Sequence, residues 1–596
     1  MKTHPAKPSQ YLGHMRGLLA VAALVAVAAC GGSTDGEAAG GDSATDPAVT
    51  IAGSADTALE PAESAADRPG GEIVLAVEQW PECLNPITSC NNATWLSWSV
   101  LVHIVPRLME FDVDHNIGAS PVLMETPTVK NGGAVLNDDG TLTITYRLNP
   151  EARWSDGTPI TSTDVWFTWR AIIDTEGTLN TIGYDLITDV GHDDPQTAIV
   201  TLSEPYAPWR ELFGGLDGIL PAHAFDGETD ISGHWNDSIP ISGGPWLQES
   251  WSQQQHILVP NENYWVPERI PLVDRVVMVP REDTDTEVVA LQTGEAMAAF
   301  PQPFPGAKER LAPPLTFVSG AGTFIEGLWI NQIAPDRYFE ITRNVRQALA
   351  YALDREEIAD VALGPIIDDP VVLQCAGWNP AFGDWCADDF AHYRQDMAAV
   401  DRLLTEDGWT RPDPEGLWVN EEGVELVLQW NTVAGNKRRE DVQALVTEMT
   451  RPFGIGWEII NYDPGELFQN RLPAMNFGPV ALYANSTTPD PTVTSYYDID
   501  GIPSEANGFS GQNFTAYASR QASDLAFAID AEVDEAARLE LVRELGTLLA
   551  SDVPWIPLYV LPNLLAWNPE VLEGPGGWVS SVYGGFYDLY DWTVIG

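Results

Sequence analysis

Four cysteines fall into two close pairs whose spacing suggests covalent chemistry. Cys83 lies near Cys90, and Cys375 lies near Cys386. In an exported protein, close pairs of this kind usually form local disulfides. A zinc site is the alternative, but zinc-binding pairs typically enclose only about two to four residues, and both pairs here are more widely spaced. We therefore predict the disulfides Cys83–Cys90 and Cys375–Cys386 and no metal site.

The fifth cysteine, Cys30, follows a segment with the features of a secretory signal. Basic residues precede an apolar run, 17–29, that is shorter than the roughly 20 residues a helix needs to cross a bilayer. Small residues come directly before Cys30, in a pattern that resembles a bacterial lipobox, although a signal peptide with a chance cysteine is the alternative. We predict a signal peptide over 1–29, lipidation of Cys30 and, because 30–70 has few large apolar residues, a flexible linker.

The common catalytic patterns are absent from the sequence. It contains no Gly-x-Ser-x-Gly nucleophile elbow, no His-Glu-x-x-His zinc helix and no Walker loop. The run 112–116, Asp-Val-Asp-His-Asn, begins like a calcium loop, but Ile117 and Leu123 occupy the positions that need Gly and a bidentate Glu. We therefore expect neither an enzyme nor a bound cofactor.

The charge balance argues against nucleic-acid partners. The chain has 86 Asp and Glu against 30 Lys and Arg, a formal net charge of −56. Such a field repels phosphate backbones and anionic lipid head groups. The acidity serves either solubility or the attraction of cationic ligands, and composition does not separate the two.

Strand-like and helix-like segments alternate along the rest of the chain. Apolar or alternating runs predict strands, and the turn at 136–140 predicts a hairpin. The predicted strands are 72–77, 141–147, 197–202, 328–331, 425–430 and 555–560, and the predicted helices are 164–173, 344–361, 439–450 and 535–549. This pattern indicates an α/β fold with several lobes.

One segment carries a clear family resemblance. The run 152–165, ARWSDGTPITSTDV, resembles the signature of the extracellular solute-binding proteins of family 5, which bind oligopeptides, dipeptides or nickel. Its Asp156-Gly157 pair can make a turn, and Thr161 can cap the helix that follows. Further family-like elements follow in order at 202–205, 243–245, 261–265, 290–295, 328–331, 345–355, 489–491, 513–517 and 553–558.

The resemblance implies a fold and a function. The fold is the class II periplasmic-binding-protein-like clamp, a bilobal α/β structure with an extra small domain in lobe I. Lobe I would comprise 71–110 and 207–321, the added subdomain 111–206, lobe II 322–551, and a C-terminal return to lobe I 552–596.

The implied function is capture of an oligopeptide-like solute by an extracytoplasmic monomer, held at the membrane by its lipid alone, for delivery to an ABC permease complex. An oligosaccharide is the alternative solute, since the same clamp serves both. A surface receptor or adhesin built on this clamp is a further alternative.

The resemblance also suggests which residues meet the ligand. In the family, the loop after the first strand, the strand leading to Asn331, and the loop before the Asp-Pro segment face the cleft. The corresponding residues here are Trp80, Trp95, Trp98, Glu326, Gly327, Tyr483 and Asn485. The tryptophans offer flat apolar area for side chains or sugar rings, but core packing is the alternative role. Peptide binders of the family often have Asp where this chain has Asn485, so Glu326 or Asp490 would have to pair with a peptide amino group.

We expect the substitution Cys30→Ala to release the protein from the membrane fraction, because the lipid would be its anchor. Cell fractionation combined with intact-mass measurement of both forms tests this. Wild-type protein found in the medium with no lipid mass at Cys30 would contradict lipidation.

Overall fold

The structure is a computed structural model that describes residues 68–596, except for 79, 82, 93–95, 177, 179–180, 216–217, 282, 336–338, 464–465, 491 and 508–510. The predicted signal peptide, the lipidation site Cys30 and nearly all of the predicted linker lie outside the described residues. Trp95 does as well. In the part that is described, no helix is long and apolar enough to cross a membrane.

The strands are mostly short and apolar. In chain order they are β1 (Glu72–Val77), β2 (Met109–Phe111), β3 (Ile117–Ala119), β4 (Ala134–Leu136), β5 (Leu142–Arg147), β6 (Ile187–Asp194), β7 (Thr197–Leu202), β8 (Trp246–Trp251), β9 (His256–Pro260), β10 (Arg275–Pro280), β11 (Ala298–Ala299), β12 (Thr316–Ile330), β13 (Val427–Asn431), β14 (Gly456–Ile459), β15 (Val480–Ser486), β16 (Trp555–Trp567), β17 (Leu572–Glu573) and β18 (Thr593–Val594).

The α-helices lie between these strands. They are α1 (Val102–Ile104), α2 (Ser162–Asp174), α3 (Thr284–Thr293), α4 (Ala307–Arg310), α5 (Arg343–Ala352), α6 (Arg355–Leu363), α7 (Met397–Glu406), α8 (Lys437–Thr450), α9 (Thr494–Tyr497), α10 (Arg520–Ala531) and α11 (Glu535–Asp552). The single helix predicted over 344–361 is wrong. The chain leaves the helical conformation at Leu353, and the Asp354 side chain accepts a hydrogen bond from Glu357 N, which starts a second helix.

Ten strands form one mixed sheet in the order β14-β13-β15-β12-β16-β11-β1-β10-β9-β8. β1 pairs in parallel with β10 and β11, whereas β12 pairs antiparallel with both β15 and β16. The register of β12 against β16 breaks between Ala321 and Ile325 and again between Glu326 and Gly327. These two strands therefore bend against each other at the middle of the sheet.

A separate four-stranded antiparallel sheet has the order β4-β5-β7-β6. The predicted hairpin is confirmed, since β4 pairs with β5 and Gly140 adopts the left-handed conformation in the turn. Leu142, Ile144 and Tyr146 alternate inward along β5 and are fully buried. Helix α2 covers this sheet. It begins directly after Thr161, the predicted capping residue, which forms a reciprocal capping box with Asp164.

Both predicted disulfides are present. Cys83 bonds to Cys90 with a Cα–Cα distance of 5.0 Å, and Cys375 bonds to Cys386 with a distance of 5.3 Å. The second disulfide closes the loop 375–386, which we call the disulfide loop. The Asn379 side chain fixes this loop by donating to the Gly322 carbonyl at 2.8 Å and accepting from Ala381 N at 3.0 Å.

Replacing both Cys375 and Cys386 with Ser should lower the free energy of unfolding by about 3 kcal/mol, because the closed loop restricts the unfolded chain. Urea denaturation measures the change, and the matched double substitution at Cys83 and Cys90 should cost slightly less because its loop is shorter. An unchanged denaturation midpoint in both variants would contradict a stabilising role for the disulfides.

Candidate functional site

The candidate site begins where β1 ends. Glu78 follows directly after this strand and is 9% exposed. In open α/β sheets, ligands bind beyond the carboxyl ends of the parallel strands. Residues from β12, from α8 and from the segment after β11 contact one another in the same region, so separate parts of the sheet contribute to it.

A buried ion triad is the electrostatic centre of this region. The Glu326 carboxylate on β12 accepts hydrogen bonds from Arg438 Nη2 at 2.9 Å and from Arg439 Nε at 2.5 Å. Glu326 is fully buried, and Arg438 Nη1 also donates to the Pro303 carbonyl at 3.1 Å. Both arginines come from the first turn of α8, where Asn436 caps the helix. The triad therefore connects α8, β12 and the segment after β11.

The triad keeps Glu326 charged. Burial alone raises the pKa of its carboxyl group, but the Arg439 and Arg438 guanidinium groups more than offset this and hold the pKa below its usual value. Each carboxylate oxygen of Glu326 accepts from one arginine. The charge of Glu326 is thus already compensated within the protein.

Two further buried acids, Glu78 and Glu287, form no ion pair of this kind among the described residues. Glu78 Oε1 accepts a hydrogen bond from Thr284 Oγ1 at 3.1 Å, and burial raises the pKa of Glu78 to about 7. Glu287 on α3 is fully buried, and neither of its carboxylate oxygens has a hydrogen-bond partner among the described residues. Burial and, secondarily, the charge of Glu78 raise its pKa well above the usual value. Across the described chain, neither acid is within 4.0 Å of a Lys, Arg or His nitrogen, so both favour a proton or an external cation.

The predicted aromatic residues are distributed over two clusters. Trp98 is 8% exposed and meets Phe300 and Phe324 edge-on, with ring centroids 5.7 and 6.1 Å apart. Trp80 is partly buried, and its Nε1 donates to the Ser252 carbonyl at 3.0 Å. Both tryptophans pack against the core around β1, so their rings are positioned by the fold.

Tyr483 belongs to the second cluster, on β15. Its ring stacks on Trp329 with centroids 5.1 Å apart, and Trp329 stacks in turn on Trp555 at 4.2 Å. The Tyr483 hydroxyl is buried and has no hydrogen-bond partner among the described residues. Gly327 lies opposite Tyr483 in the register, and a Cβ there would come within 2.6 Å of the Trp555 ring. The absence of a side chain at Gly327 therefore leaves room for the Trp555 ring of this stack to pack against β12.

The register separates Glu326 from Asn485. Ile325 lies opposite Asn485 and Gly327 lies opposite Tyr483, whereas Glu326 lies opposite Ala484. Because side chains alternate between the two faces of a strand, Tyr483 and Asn485 project to one face of the sheet and Glu326 to the other. Glu326 therefore does not lie beside Asn485. Asp490, the other substitute considered for Asn485, is itself paired with Arg538.

Sequence reasoning missed Arg438, Arg439, Glu78 and Glu287. The run Lys437-Arg438-Arg439 was an available signal, because three consecutive basic residues are unusual in so acidic a chain. No comparable signal marks Glu287, which looks like any first-turn acid of a helix. Within the described residues, no group of three or more His, Cys, Asp and Glu side chains could hold a metal ion.

Glu78 should make stability depend on pH. Its pKa rises from 4.5 to about 7 on folding, so the folded state binds the proton more tightly. Stability should therefore fall as the pH rises through this window, by about 3 kcal/mol at most. The substitution Glu78→Gln should remove this loss and make the protein more stable than wild type above neutral pH.

Urea denaturation at several pH values measures the difference. Glu151→Gln, at an exposed position, is the control and should follow the wild-type profile. A Glu78→Gln variant less stable than wild type at alkaline pH would contradict the uncompensated burial of Glu78.

Comparisons with known proteins show the family to which the chain belongs. Residues 122–501 match the family model described as bacterial extracellular solute-binding proteins, family 5 Middle. The probable monoacyl phosphatidylinositol tetramannoside-binding protein LpqW of Mycobacterium tuberculosis is 34% identical over 152 residues, but the match covers only 24% of this chain and 23% of LpqW. The oligopeptide-binding protein AppA of Bacillus subtilis is 24% identical over 532 residues, 86% of this chain and 90% of AppA.

Solved structures agree in fold. Bacillus subtilis AppA in complex with a nonapeptide has a TM-score of 0.68 and 20% identity, covering 88% of this chain and 100% of AppA. The periplasmic EDTA-binding protein EppA has a TM-score of 0.74 and 20% identity, covering 88% of this chain and 97% of EppA. The predicted bilobal α/β fold of the periplasmic solute-binding type is confirmed. Since the family model covers more than half of the sequence, the chain belongs to the bacterial extracellular solute-binding proteins of family 5, a family of binding proteins that are not enzymes.

Proposed function

We propose that this chain captures an oligopeptide-like solute between two lobes outside the cytoplasmic membrane and delivers it to an ABC importer. The observation that carries this proposal is the match to Bacillus subtilis AppA, an oligopeptide-binding protein, over 86% of this chain and 90% of AppA. Its solved structure with a nonapeptide has the same fold over its whole length. Anchoring through a lipid on Cys30 and a monomeric state belong to the same proposal.

The proposed lobes meet at β12 and β16. The register break between Ala321 and Ile325 lies next to the proposed start of lobe II at 322. At Gly322 a Cβ would come within 2.1 Å of the Leu561 carbonyl oxygen, so the two strands cross closely there with no side chain between them. A register break at a close crossing interrupts the regular ladder, and it supports a hinge at this point.

The proposed ligand contacts come from both lobes. Trp80, Trp95 and Trp98 would offer flat surfaces from lobe I, while Tyr483 and Asn485 would offer polar groups from lobe II. Glu326 and Gly327 would shape the site from β12, with Glu326 acting through the arginines that it orients. A buried ammonium requires a partner, and Glu78 suits this role better than Glu326, because Glu326 already pairs with Arg438 and Arg439.

A second candidate solute is an oligosaccharide. The similarity to LpqW supports it, because that protein carries the description of a probable tetramannoside-binding protein and is 34% identical where it aligns. Aromatic side chains such as Trp98 suit sugar faces as well as peptide side chains. The two solute classes differ in charge, since only the peptide carries an amino group for Glu78.

Calorimetry with a peptide and its N-acetylated twin tests these assignments. We expect acetylation to weaken binding to the wild type by about tenfold to a hundredfold, because a charged hydrogen bond to Glu78 is lost. In Glu78→Gln this penalty should disappear. In Glu326→Gln the penalty should persist, even though overall affinity falls as the arginines lose their partner.

Other outcomes would redirect the proposal. A penalty that disappears in Glu326→Gln instead would move the amino-group contact to the triad. Equal affinity of the wild type for both peptides would reject recognition of the amino group. Binding of an oligosaccharide with no binding of either peptide would replace the solute class, and native mass spectrometry of the purified protein would show which solute it carries.

A further inference from the structure

His115 contacts two segments that are far from it in the sequence. Its Nδ1 lies 3.0 Å from the carbonyl oxygen of Ala381, in the disulfide loop. Its Nε2 lies 2.7 Å from the carbonyl oxygen of Ser580. Ser580 belongs to the segment 568–596 after β16, which we call the C-terminal segment. A single side chain thus connects the turn after β2 with one segment from each of the proposed lobes.

Both partners of the imidazole are acceptors. A backbone carbonyl oxygen cannot donate a hydrogen bond, and a neutral imidazole carries only one N–H group. A neutral ring would therefore place a lone pair against one of the two oxygens. An imidazolium donates from both nitrogens and satisfies both contacts, and charge-assisted bonds of this kind are stronger than neutral ones.

We propose that His115, as an imidazolium, forms a proton-dependent bridge that holds the disulfide loop of lobe II against lobe I. This inference rests on the proposed two-lobed capture, because the lobe boundaries come from it. The bridge would favour the closed arrangement at low pH and release it as the pH rises. This pH dependence does not require a bound solute.

The backbone supports a dedicated role for His115. Its φ is 65°, in the left-handed region that costs free energy for residues other than Gly. Asp112 holds this turn, because its carboxylate accepts hydrogen bonds from Asp114 N and Asn116 N, both at 2.9 Å. The strained conformation is therefore fixed locally, and it directs the ring towards the two carbonyl groups.

The disulfide loop presents its carbonyl group on a rigid base. Phe382, the residue after Ala381, meets the His115 ring edge-on with centroids 4.8 Å apart. Phe382 also packs in an apolar cluster with Phe111 and Tyr583. Asn379 ties the loop to Gly322 at the register break of β12. The contact at His115 is thus mechanically connected to the proposed hinge.

Other ionisable groups occur on each element packed around His115. Its own turn carries Asp112 and Asp114, and the disulfide loop carries Asp384. The C-terminal segment carries Tyr583 and Tyr587, and burial raises the pKa of both hydroxyl groups, which keeps them neutral at physiological pH. It also carries Asp588, whose carboxyl pKa burial raises to about 6. The Arg107 guanidinium lies over the Tyr583 ring at 5.0 Å. Because the carboxyl group of Asp588 can also change its charge near pH 6, only the pH dependence that is lost in His115→Gln is assigned to the bridge.

Two measurements on the whole chain test the bridge without any solute. Nitrogen NMR of 15N-histidine-labelled protein should show both ring nitrogens of His115 protonated at low pH, with the signal assigned by its loss in His115→Gln. Spin labels at the exposed positions 130 and 421, introduced as Lys130→Cys and Glu421→Cys, report the separation between the added subdomain and lobe II. In wild type, the ratio of closed to open forms should fall roughly tenfold as the pH rises through the imidazole range.

Matched variants separate the bridge from general pH effects. His115→Gln should lose the pH dependence, and His115→Lys, which keeps a permanent cation, should remain closed at high pH. His192→Gln is the control and should behave as wild type, because the His192 imidazole is hydrogen-bonded to the nearby Val190 carbonyl and stacks on the Trp166 ring, both within the added subdomain. A neutral His115 ring at low pH, or identical pH profiles in wild type and His115→Gln, would overturn the proposal. Failure of peptides to bind would count against the proposed function alone.

Discussion

The antiparallel pairing of β12 with β16 is the interaction on which the rest of the structure depends. These strands lie next to each other at the centre of the ten-stranded sheet. On one side of the pair are β15, β13 and β14, and on the other side are β11, β1 and the strands beyond it. Without this ladder the sheet would divide into two smaller sheets, each with an exposed edge. The same pairing contains the register breaks and includes Glu326. Both the continuity of the sheet and the position of Glu326 in the site therefore depend on it.

The distribution of charge follows a second constraint. An acidic chain with few basic residues buries several of its arginines, including Arg346 and Arg355, whose guanidinium groups donate mainly to backbone carbonyls. Arg438 and Arg439 are used similarly, but against a carboxylate. Among the described residues, Glu78 and Glu287 are then left as buried acids without an ion-pair partner. The buried arginines therefore mainly hold backbone segments in place through hydrogen bonds. The buried carboxyl groups without an ion-pair partner lie near the end of β1.

Much of the fold could be predicted from the sequence, because local patterns determine it. The alternation in β5, the turn at Gly140 and the capping residue Thr161 each specify structure over a few residues, and the cysteine pairs close short loops. The site was less predictable, because its contacts are long-range: Glu326 and its arginine partners are separated by more than 100 residues. The face on which Glu326 projects depends on a strand register that no local pattern reveals. The split between α5 and α6 was missed because the apolar spacing continues through Asp354.

The C-terminal segment has a consequence for how the molecule is built. Leu572, Phe586, Leu589 and Trp592 are buried in the same core as Ile73 and Leu75 of β1. In addition, Ala298 of β11 pairs with Trp567 of β16, far along the chain. The core around β1 therefore stays incomplete until residues 572–592 have been synthesised. Helices and hairpins in between can form early, since their contacts are local. Assembly of this core must consequently be a late event. A ribosome-bound or C-terminally shortened chain would expose the apolar surface of β1 after the local helices and hairpins have formed.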